Sequence, residues 1–355
     1  MSPAGFAVAA VGVLGAGAAA WLLLWRGSAR LSEQDLVELR KELADVRFTA
    51  KGLKDAGRRV RLPFEHGVLL LRQSRAAEAV KRMEKAAENA AESLEPALHN
   101  MVGVSLYLAG KLTEAPSQFL KAVRLARDLG QKDVEAAAMG NLGLVYLARN
   151  EKDKAQEHHL ESLRIDREAG NAEGEAVNLG RLGLISQGQG RSDDALEYLA
   201  EALARSRAAG FRLGEANSLG RMALIHQVKG RLDKALGLCG EALDVARAGG
   251  LRLVEAELLG NVGLIHLAKE DQDKALAFML PSLQLFMAVG SETRTLGAVS
   301  NLHQVYRVLG RDRFAAGCRK LTGDEKFIGK LLHLMGTVDE KVRQQPEKQS
   351  GGNGS

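Results

Sequence analysis

Residues 140–147 read GNLGLVYL, and the same phrase returns as GRLGLISQ at 180–187, GRMALIHQ at 220–227 and GNVGLIHL at 260–267. Consecutive copies begin forty residues apart. A fixed period of this length is typical of an array in which each repeat is one small structural unit that shares a core with its neighbours. The sequence therefore predicts a repeat protein.

Three further residue types keep the same period. A glycine is expected to end each long helix, a glutamate lies close to the start of the next helix, where its charge suits the helix dipole, and an aspartate is interpreted as a helix N-cap. Each unit is therefore predicted to consist of a helix, a short turn, a second helix and a glycine turn. The columns are Gly130, Gly170, Gly210, Gly250 and Gly290; Glu135, Glu175, Glu215 and Glu255; and Asp153, Asp193, Asp233 and Asp273.

The composition favours an all-α protein. Hydrophobic residues make up 46% of the chain, aromatic residues only 4%, and there are six prolines. Acidic and basic residues alternate along the chain, so the net charge of +5 describes a solvated helical surface and does not favour nucleic acid as a partner. The two cysteines, Cys239 and Cys318, lie far apart in helical patterns and are interpreted as core residues.

The order Leu-Gly, an aromatic residue or His, Gly, Ala and then Ala-Leu resembles the tetratricopeptide repeat. The motif is carried in one unit by Leu182, Gly183, Gly190, Ala195, Ala202 and Leu203, and in another by Val262, Gly263, His266, Ala275, Ser282 and Leu283. The forty-residue period resembles the long-helix variety of kinesin light chains and Pins-type regulators. The resemblance implies a right-handed α-solenoid of about seven helix pairs over residues 60–322.

Within this resemblance, a column of small residues is expected where the paired helices cross closely, at Gly143, Gly183, Ala223 and Gly263. Residues 323–343 are predicted to form a helix that closes the stack, and residues 344–355 a disordered tail.

In tetratricopeptide domains the first helices of successive units line a concave groove that holds a partner peptide. The resemblance assigns two columns and two flanking glutamines to this groove: Asn141, Arg181, Arg221, Asn261 and Asn301; Leu144, Leu184, Leu224 and Leu264; and Gln187 and Gln227. An apolar stripe beside polar groups suits an amphipathic helix or an extended apolar peptide with acidic or carboxamide groups along one side. The alternative is that these leucines pack against neighbouring helices.

Chaperone-binding relatives use Asn and Arg of this column to clamp a partner's C-terminal carboxylate. That clamp also needs Lys four residues before the Arg, where this chain has Val177 before Arg181. It needs Asn in the preceding unit, where this chain has Val104. A complete carboxylate clamp is therefore not expected.

The N-terminus carries a predicted membrane anchor. No charged side chain occurs from Met1 to Trp25, and the apolar stretch of residues 4–25 spans about 33 Å as a helix, enough for a bilayer core. A cleaved secretory signal is the alternative, although it would need basic residues in front. Because the nearby basic residues, beginning with Arg26, all follow the stretch, residues 1–27 predict a single-pass protein whose repeats face the cytoplasm, at a bacterial inner membrane or an organelle outer membrane.

Residues 28–58 are predicted to contain a linker helix. Its apolar residues follow steps of three and four, which favours either a short parallel coiled coil, and hence a homodimer through residues 32–54, or one amphipathic helix lying against the next domain. The apolar positions are Leu36, Leu39, Leu43, Val46, Ala50 and Leu53.

No pattern in the sequence indicates an enzyme, a cofactor or a metal site. The adjacent His158 and His159 point in different directions on a helix and lack a third ligand at a suitable spacing. The sequence thus predicts a membrane-anchored scaffold or adaptor that binds a protein partner through its groove. The alternatives are a self-assembling structural protein and a receptor that resembles import receptors or co-chaperones.

Overall fold

The computed structural model describes residues 56–72 and 75–344, and within these ranges every regular element is an α-helix. The all-α prediction is confirmed for this part of the chain. The predicted anchor, the linker helix up to residue 55 and the tail beyond residue 344 lie outside the described residues. Among the helices that are described, none combines the length and the apolar character needed to cross a bilayer.

Fifteen helices occur in the described ranges. They are α1 Arg58–Arg72, α2 Ala76–Glu88, α3 Glu95–Leu108, α4 Ala115–Asp128, α5 Lys132–Ala148, α6 Lys152–Ala169, α7 Ala172–Gly188, α8 Ser192–Ala208, α9 Arg212–Val228, α10 Leu232–Ala248, α11 Arg252–Ala268, α12 Gln272–Val289, α13 Glu292–Leu309, α14 Arg311–Thr322 and α15 Glu325–Gln344. From α5 to α12 the odd-numbered helices begin forty residues apart, which is the period of the sequence.

The described helices belong to two compact units. The N-terminal unit contains residues 56–229 and 244–249, and the C-terminal unit contains residues 230–243 and 250–344. In the N-terminal unit each helix from α1 to α8 packs on the next one along the chain, and the first helices of consecutive repeats also touch, α3 with α5, α5 with α7 and α7 with α9. In the C-terminal unit α11, α12, α13, α14 and α15 pack in the same way, and α11 touches α13.

The paired helices approach each other at the column of small residues. A Cβ atom added to Gly103 would lie 2.6 Å from Cε1 of Phe119, and one added to Gly183 would lie 2.9 Å from Cγ of Leu199. In each case the neighbour is the residue sixteen positions later in the chain. The same contact recurs at Gly143, where an added Cβ would lie 2.9 Å from the ring of His159, and at Gly263. The prediction that these glycines mark close helix crossings is confirmed.

The glycine turns are also confirmed. Gly170 and Gly290 end α6 and α12 in the left-handed backbone region, with φ of 67° and 76°, where glycine avoids the steric cost of a side chain. Each glutamate of the period lies in the first turn of the next helix, as predicted.

These glutamates also join consecutive repeats. Arg127 at the end of α4 lies 2.7 Å from the carboxylate of Glu135 in α5, and Arg207 of α8 lies 2.8 Å from Glu215 in α9. The same ion pair therefore recurs between the second helix of one repeat and the first helix of the next.

The interpretation of the aspartates as N-caps is wrong. Asp153, Asp193, Asp233 and Asp273 are each the second residue of their helix. They point instead toward the turn of the following repeat, where Lys229 lies 2.5 Å from Asp193 in the N-terminal unit and Lys269 lies 2.5 Å from Asp233 in the C-terminal unit. The recurrence of aspartate every forty residues is thus explained by a contact between repeats and by the favourable helix dipole at the helix start.

We expect Gly183→Ala and Gly180→Ala, both in α7, to have opposite effects on stability. Gly183→Ala should lower the free energy of unfolding by about 1–2 kcal/mol, because the new methyl overlaps Leu199 and lies in tight contact with the backbone oxygen of Ala195. Gly180→Ala should raise it by about 0.5–1 kcal/mol, because nothing lies within 4 Å of its added Cβ and alanine favours helix. Urea denaturation followed by circular dichroism measures both. A shift of the same sign and size in the two variants would contradict the close-crossing role.

Candidate protein-binding surface

The predicted groove residues of the N-terminal unit lie on three neighbouring first helices. Since α5 touches α7 and α7 touches α9, equivalent positions on these helices form consecutive rows. We call this surface the first-helix face, and it consists of Asn141 and Leu144 of α5, Arg181, Leu184 and Gln187 of α7, and Arg221, Leu224 and Gln227 of α9.

The leucines of the first-helix face are half-buried. Leu144, Leu184 and Leu224 are all partly exposed, whereas the residues on either side of them, such as Leu182 and Ile185, are 1% exposed. Each leucine therefore leaves part of its side chain uncovered at the same place on successive helices. In the preceding repeat the equivalent position is buried, since Val104 is 6% exposed.

The polar residues of the first-helix face differ in their surroundings. The amide nitrogen Nδ2 of Asn141 donates a hydrogen bond to Oδ1 of Asn100 in α3, at 3.0 Å, and Asn100 is 3% exposed. Asn141 thus supports the contact between two first helices as well as contributing to the face. Arg181, Arg221, Gln187 and Gln227 are partly exposed.

The first-helix face carries two positive charges. Arg181 and Arg221 occupy equivalent positions on α7 and α9. An acidic or carboxamide group on a bound segment would find donors at these two arginines.

Two residues that the sequence reading did not assign extend the face. Asn217 is exposed one turn before Arg221, and Val228 is 82% exposed one turn after Leu224. On α7 the corresponding first position is Val177, which is 41% exposed. Their four-residue spacing from Arg221, Leu224 and Arg181 in the sequence predicts this position, because it places the side chains on the same side of the helix.

The remaining predicted groove residues lie in the C-terminal unit. Asn261 and Leu264 of α11 and Asn301 of α13 are all partly exposed. Leu264 packs against the buried cluster that includes Leu302 and Phe314, so at this repeat the leucine contributes to the core as well as to the surface.

These features define an α-helical repeat protein whose repeats have one recurrent, partly apolar surface. Two tetratricopeptide repeat family models match the sequence, one over residues 93–168 and 214–287 and the other over residues 179–209, which together span just over half of the chain. The chain belongs to the tetratricopeptide repeat family. No curated protein matches the sequence.

Several solved structures share this fold. BtubC (BKLC) from P. vanneervenii is 20% identical, with a TM-score of 0.50, and the match covers 62% of this chain and 92% of that one. PH0952 from Pyrococcus horikoshii, a STAND protein with a tetratricopeptide repeat sensor, is 16% identical with a TM-score of 0.58, over 94% of this chain and 52% of that one. Aspartyl phosphate phosphatase F from Bacillus subtilis is 16% identical with a TM-score of 0.57, over 87% and 74%. These likenesses concern the fold alone.

The described residues contain no cluster of three or more metal-ligating side chains. His158 and His159 have separate packing roles. The ring of His158 stacks on Tyr146 with the centroids 5.0 Å apart, and His159 is 2% exposed beneath Gly143. The tetratricopeptide repeat family favours a scaffold for protein–protein interaction.

We expect Asn141→Ala to lower the free energy of unfolding by about 1–2 kcal/mol, because it leaves the buried Oδ1 of Asn100 without its donor. Asn261→Ala is the matched control, since Asn261 occupies the same column and makes no hydrogen bond to another described residue through its side chain. It should change stability by less than about 0.5 kcal/mol. Thermal unfolding measures both, and equal losses would show that the hydrogen bond to Asn100 contributes nothing.

Proposed function

We propose that this protein is a membrane-anchored adaptor that binds a partner protein through the first-helix face and holds it at the membrane. The observation that carries the proposal is the row of partly exposed leucines at one position of α5, α7 and α9, next to polar side chains. Burying the remaining exposed part of one leucine contributes about 1 kcal/mol, so a segment that covers several of them gains useful affinity.

The partner segment is an amphipathic helix or an extended apolar peptide. Its apolar side covers Leu144, Leu184 and Leu224, and its acidic or carboxamide groups meet Arg181 and Arg221. Asn141, Gln187 and Gln227 offer hydrogen bonds that fix the register of the segment. PH0952 is described as having a tetratricopeptide repeat sensor, which supports the use of this fold for recognition.

Membrane attachment is proposed from the sequence. The uncharged stretch up to Trp25 is long enough to span a bilayer, and the basic residues that follow it favour a cytoplasmic position for the repeats. Attachment concentrates the bound partner at one surface, which is the purpose of an adaptor of this kind.

Photo-crosslinking in the native cell tests the partner proposal. A crosslinking amino acid at Gln187 or Gln227 should capture one dominant foreign protein, identified by mass spectrometry, whereas a crosslinker at Glu157, exposed on the second helix α6, should not. Arg181→Glu or Leu184→Asp should reduce the adduct at least tenfold without changing the circular dichroism spectrum. Leu160→Asp, on the exposed side of α6, should leave it unchanged.

Adducts that form only with other copies of this chain would favour self-assembly and overturn the adaptor proposal. A pattern in which the α6 position captures the same protein as Gln187 would show that the first-helix face has no special role.

Fractionation tests the anchor separately. The full chain should stay in the membrane pellet after carbonate extraction, because an apolar helix of this length does not leave the bilayer in alkaline buffer. The triple substitution Val11→Lys, Val13→Lys and Leu14→Lys should release it, since three charges at the centre of the apolar stretch cost several kcal/mol. Release of the unsubstituted chain, or retention of the substituted one, would contradict a spanning anchor.

A further inference from the structure

One junction between repeats in the N-terminal unit is polar inside. Between α6 and α7 the structure buries His159, Ser162 and Asp166 of α6 and Asn178 of α7, which are all 5% exposed or less. We call these four residues, together with Asn171 of the connecting turn, the polar junction.

The junctions on either side carry apolar or small residues at the same positions, except for Gln131. Between α4 and α5 the corresponding residues are Phe119, Ala122, Ala126, Gln131 and Ala138, and between α8 and α9 they are Leu199, Ala202, Ser206, Phe211 and Ser218. Five polar residues at one junction thus stand where the α4–α5 junction has one polar residue, Gln131, and the α8–α9 junction has two serines, of which Ser206 also lacks a side-chain hydrogen-bond partner among the described residues.

The polar junction is a connected hydrogen-bond network. The Nδ2 group of Asn178 donates to Oγ of Ser162 and to Oδ2 of Asp166, both at 2.8 Å, and Nδ2 of Asn171 donates to the other carboxylate oxygen at 2.7 Å. Oγ of Ser162 donates to the backbone oxygen of Ala136 in α5 at 2.7 Å. The network therefore ties α5, α6 and α7 together.

The network is incompletely satisfied. Nδ1 of His159 lies 3.0 Å from Oδ1 of Asn178 and donates to it, which leaves the buried Nε2 without a hydrogen-bond partner among the described residues. The carboxylate of Asp166 accepts only from neutral amides, and Glu175 adds a second carboxylate nearby. Burying a charge without a cation, and a ring nitrogen without a donor, makes this contact between repeats weaker than an apolar one.

We propose that the polar junction is the joint at which the repeat array opens, so that the pair α5–α6 separates from α7–α8 more readily than the neighbouring pairs separate from each other. In a repeat array each repeat contacts only its neighbours, so one weak interface defines a local opening without unfolding the rest. Asn178 lies one turn before Arg181 of the first-helix face. Opening would therefore move Arg181 and Leu184 relative to Asn141 and Leu144. The effect of this movement on a bound partner rests on the proposed function, whereas the joint itself does not.

The two buried titratable groups of the junction respond to pH in opposite directions. Burial raises the pKa of Asp166 to about 6 from 3.8, so the closed junction favours the protonated acid and gains stability as the pH falls from 6 toward 4. Burial lowers the pKa of His159 to about 4 from 6.5, so the closed junction favours the neutral ring and loses stability as the pH falls from 6.5 toward 4. The two effects largely cancel in the natural chain.

Few other charged groups face the junction. His158 on α6 and Glu175 and Arg181 on α7 act on it electrostatically. Glu175 is in turn paired with Arg167 of α6 and Arg205 of α8, at 3.8 and 3.4 Å.

Hydrogen exchange on the full chain, in detergent micelles, tests the joint. At pH 7.5 the backbone amides of the first half of α7 should exchange at least tenfold faster, after correction for intrinsic rates, than those of the first half of α9. Transplanting the α8–α9 residues into the polar junction, as His159→Leu, Ser162→Ala, Asp166→Ser, Asn171→Phe and Asn178→Ser, should remove this difference. Equal or slower exchange in α7 of the natural chain would show that the network strengthens the junction, and would overturn the proposal.

Single substitutions separate the two titrations and do not depend on the fivefold variant folding. In Asp166→Ser only His159 titrates, so the protection of α7 relative to α9 should fall as the pH is lowered from 6.5 to 4, by roughly a hundredfold for a shift of about two pKa units. In His159→Leu only Asp166 titrates, so protection should rise by roughly thirtyfold between pH 6 and pH 4. The natural chain should change less than tenfold. Slopes of the same sign in both variants, or no slope in either, would contradict an opening that exposes both groups.

Discussion

The close approach of the two helices within each repeat is the constraint on which the rest of this structure depends. At Gly103, Gly143, Gly183 and Gly263 there is no space for a Cβ atom, because the side chain sixteen residues later fills it. That contact sets how the second helix lies on the first, and hence how the next first helix is presented. The rows of Asn, Arg and Leu on α5, α7 and α9 are adjacent only because this geometry repeats.

The contacts between repeats are of two kinds that contribute differently. Ion pairs such as Arg127–Glu135 and Lys229–Asp193 each have one exposed partner, Arg127 and Asp193, and pairs screened by solvent in this way contribute at most about 1 kcal/mol each. The buried side chains provide the larger share, because dispersion and hydrophobic burial scale with the area they cover. The ion pairs recur at a fixed offset and therefore favour correct register between neighbours more than they favour stability.

The sequence was sufficient for the helical repeats because their determinants are local or periodic. Gly170 could be read as a helix end and Gly183 as a crossing point, since each role demands one residue type at one position. Asp153 and its equivalents were misread because an aspartate near a helix start suits both an N-cap and a contact with the next repeat, and only the position of the helix start decides between them. The hydrogen bond from Asn141 to Asn100 joins residues 41 positions apart, which no local pattern encodes. The first-helix face remains a prediction in its binding role.

The polar junction could also be predicted from the sequence, by comparing equivalent positions in successive repeats. His159, Asp166 and Asn178 are each unremarkable on a helix, and only their occurrence at the same junction, where the next repeat has Leu199, Ser206 and Ser218, marks them as a set. In a globular protein with one core, a buried carboxylate of this kind would lower the stability of the whole fold. In a repeat array its cost stays at one interface, because each repeat couples only to its neighbours. The array can therefore carry a weak interface between α6 and α7, directly behind Arg181, while α3–α5 and α7–α9 keep the packing that holds the first-helix face in place.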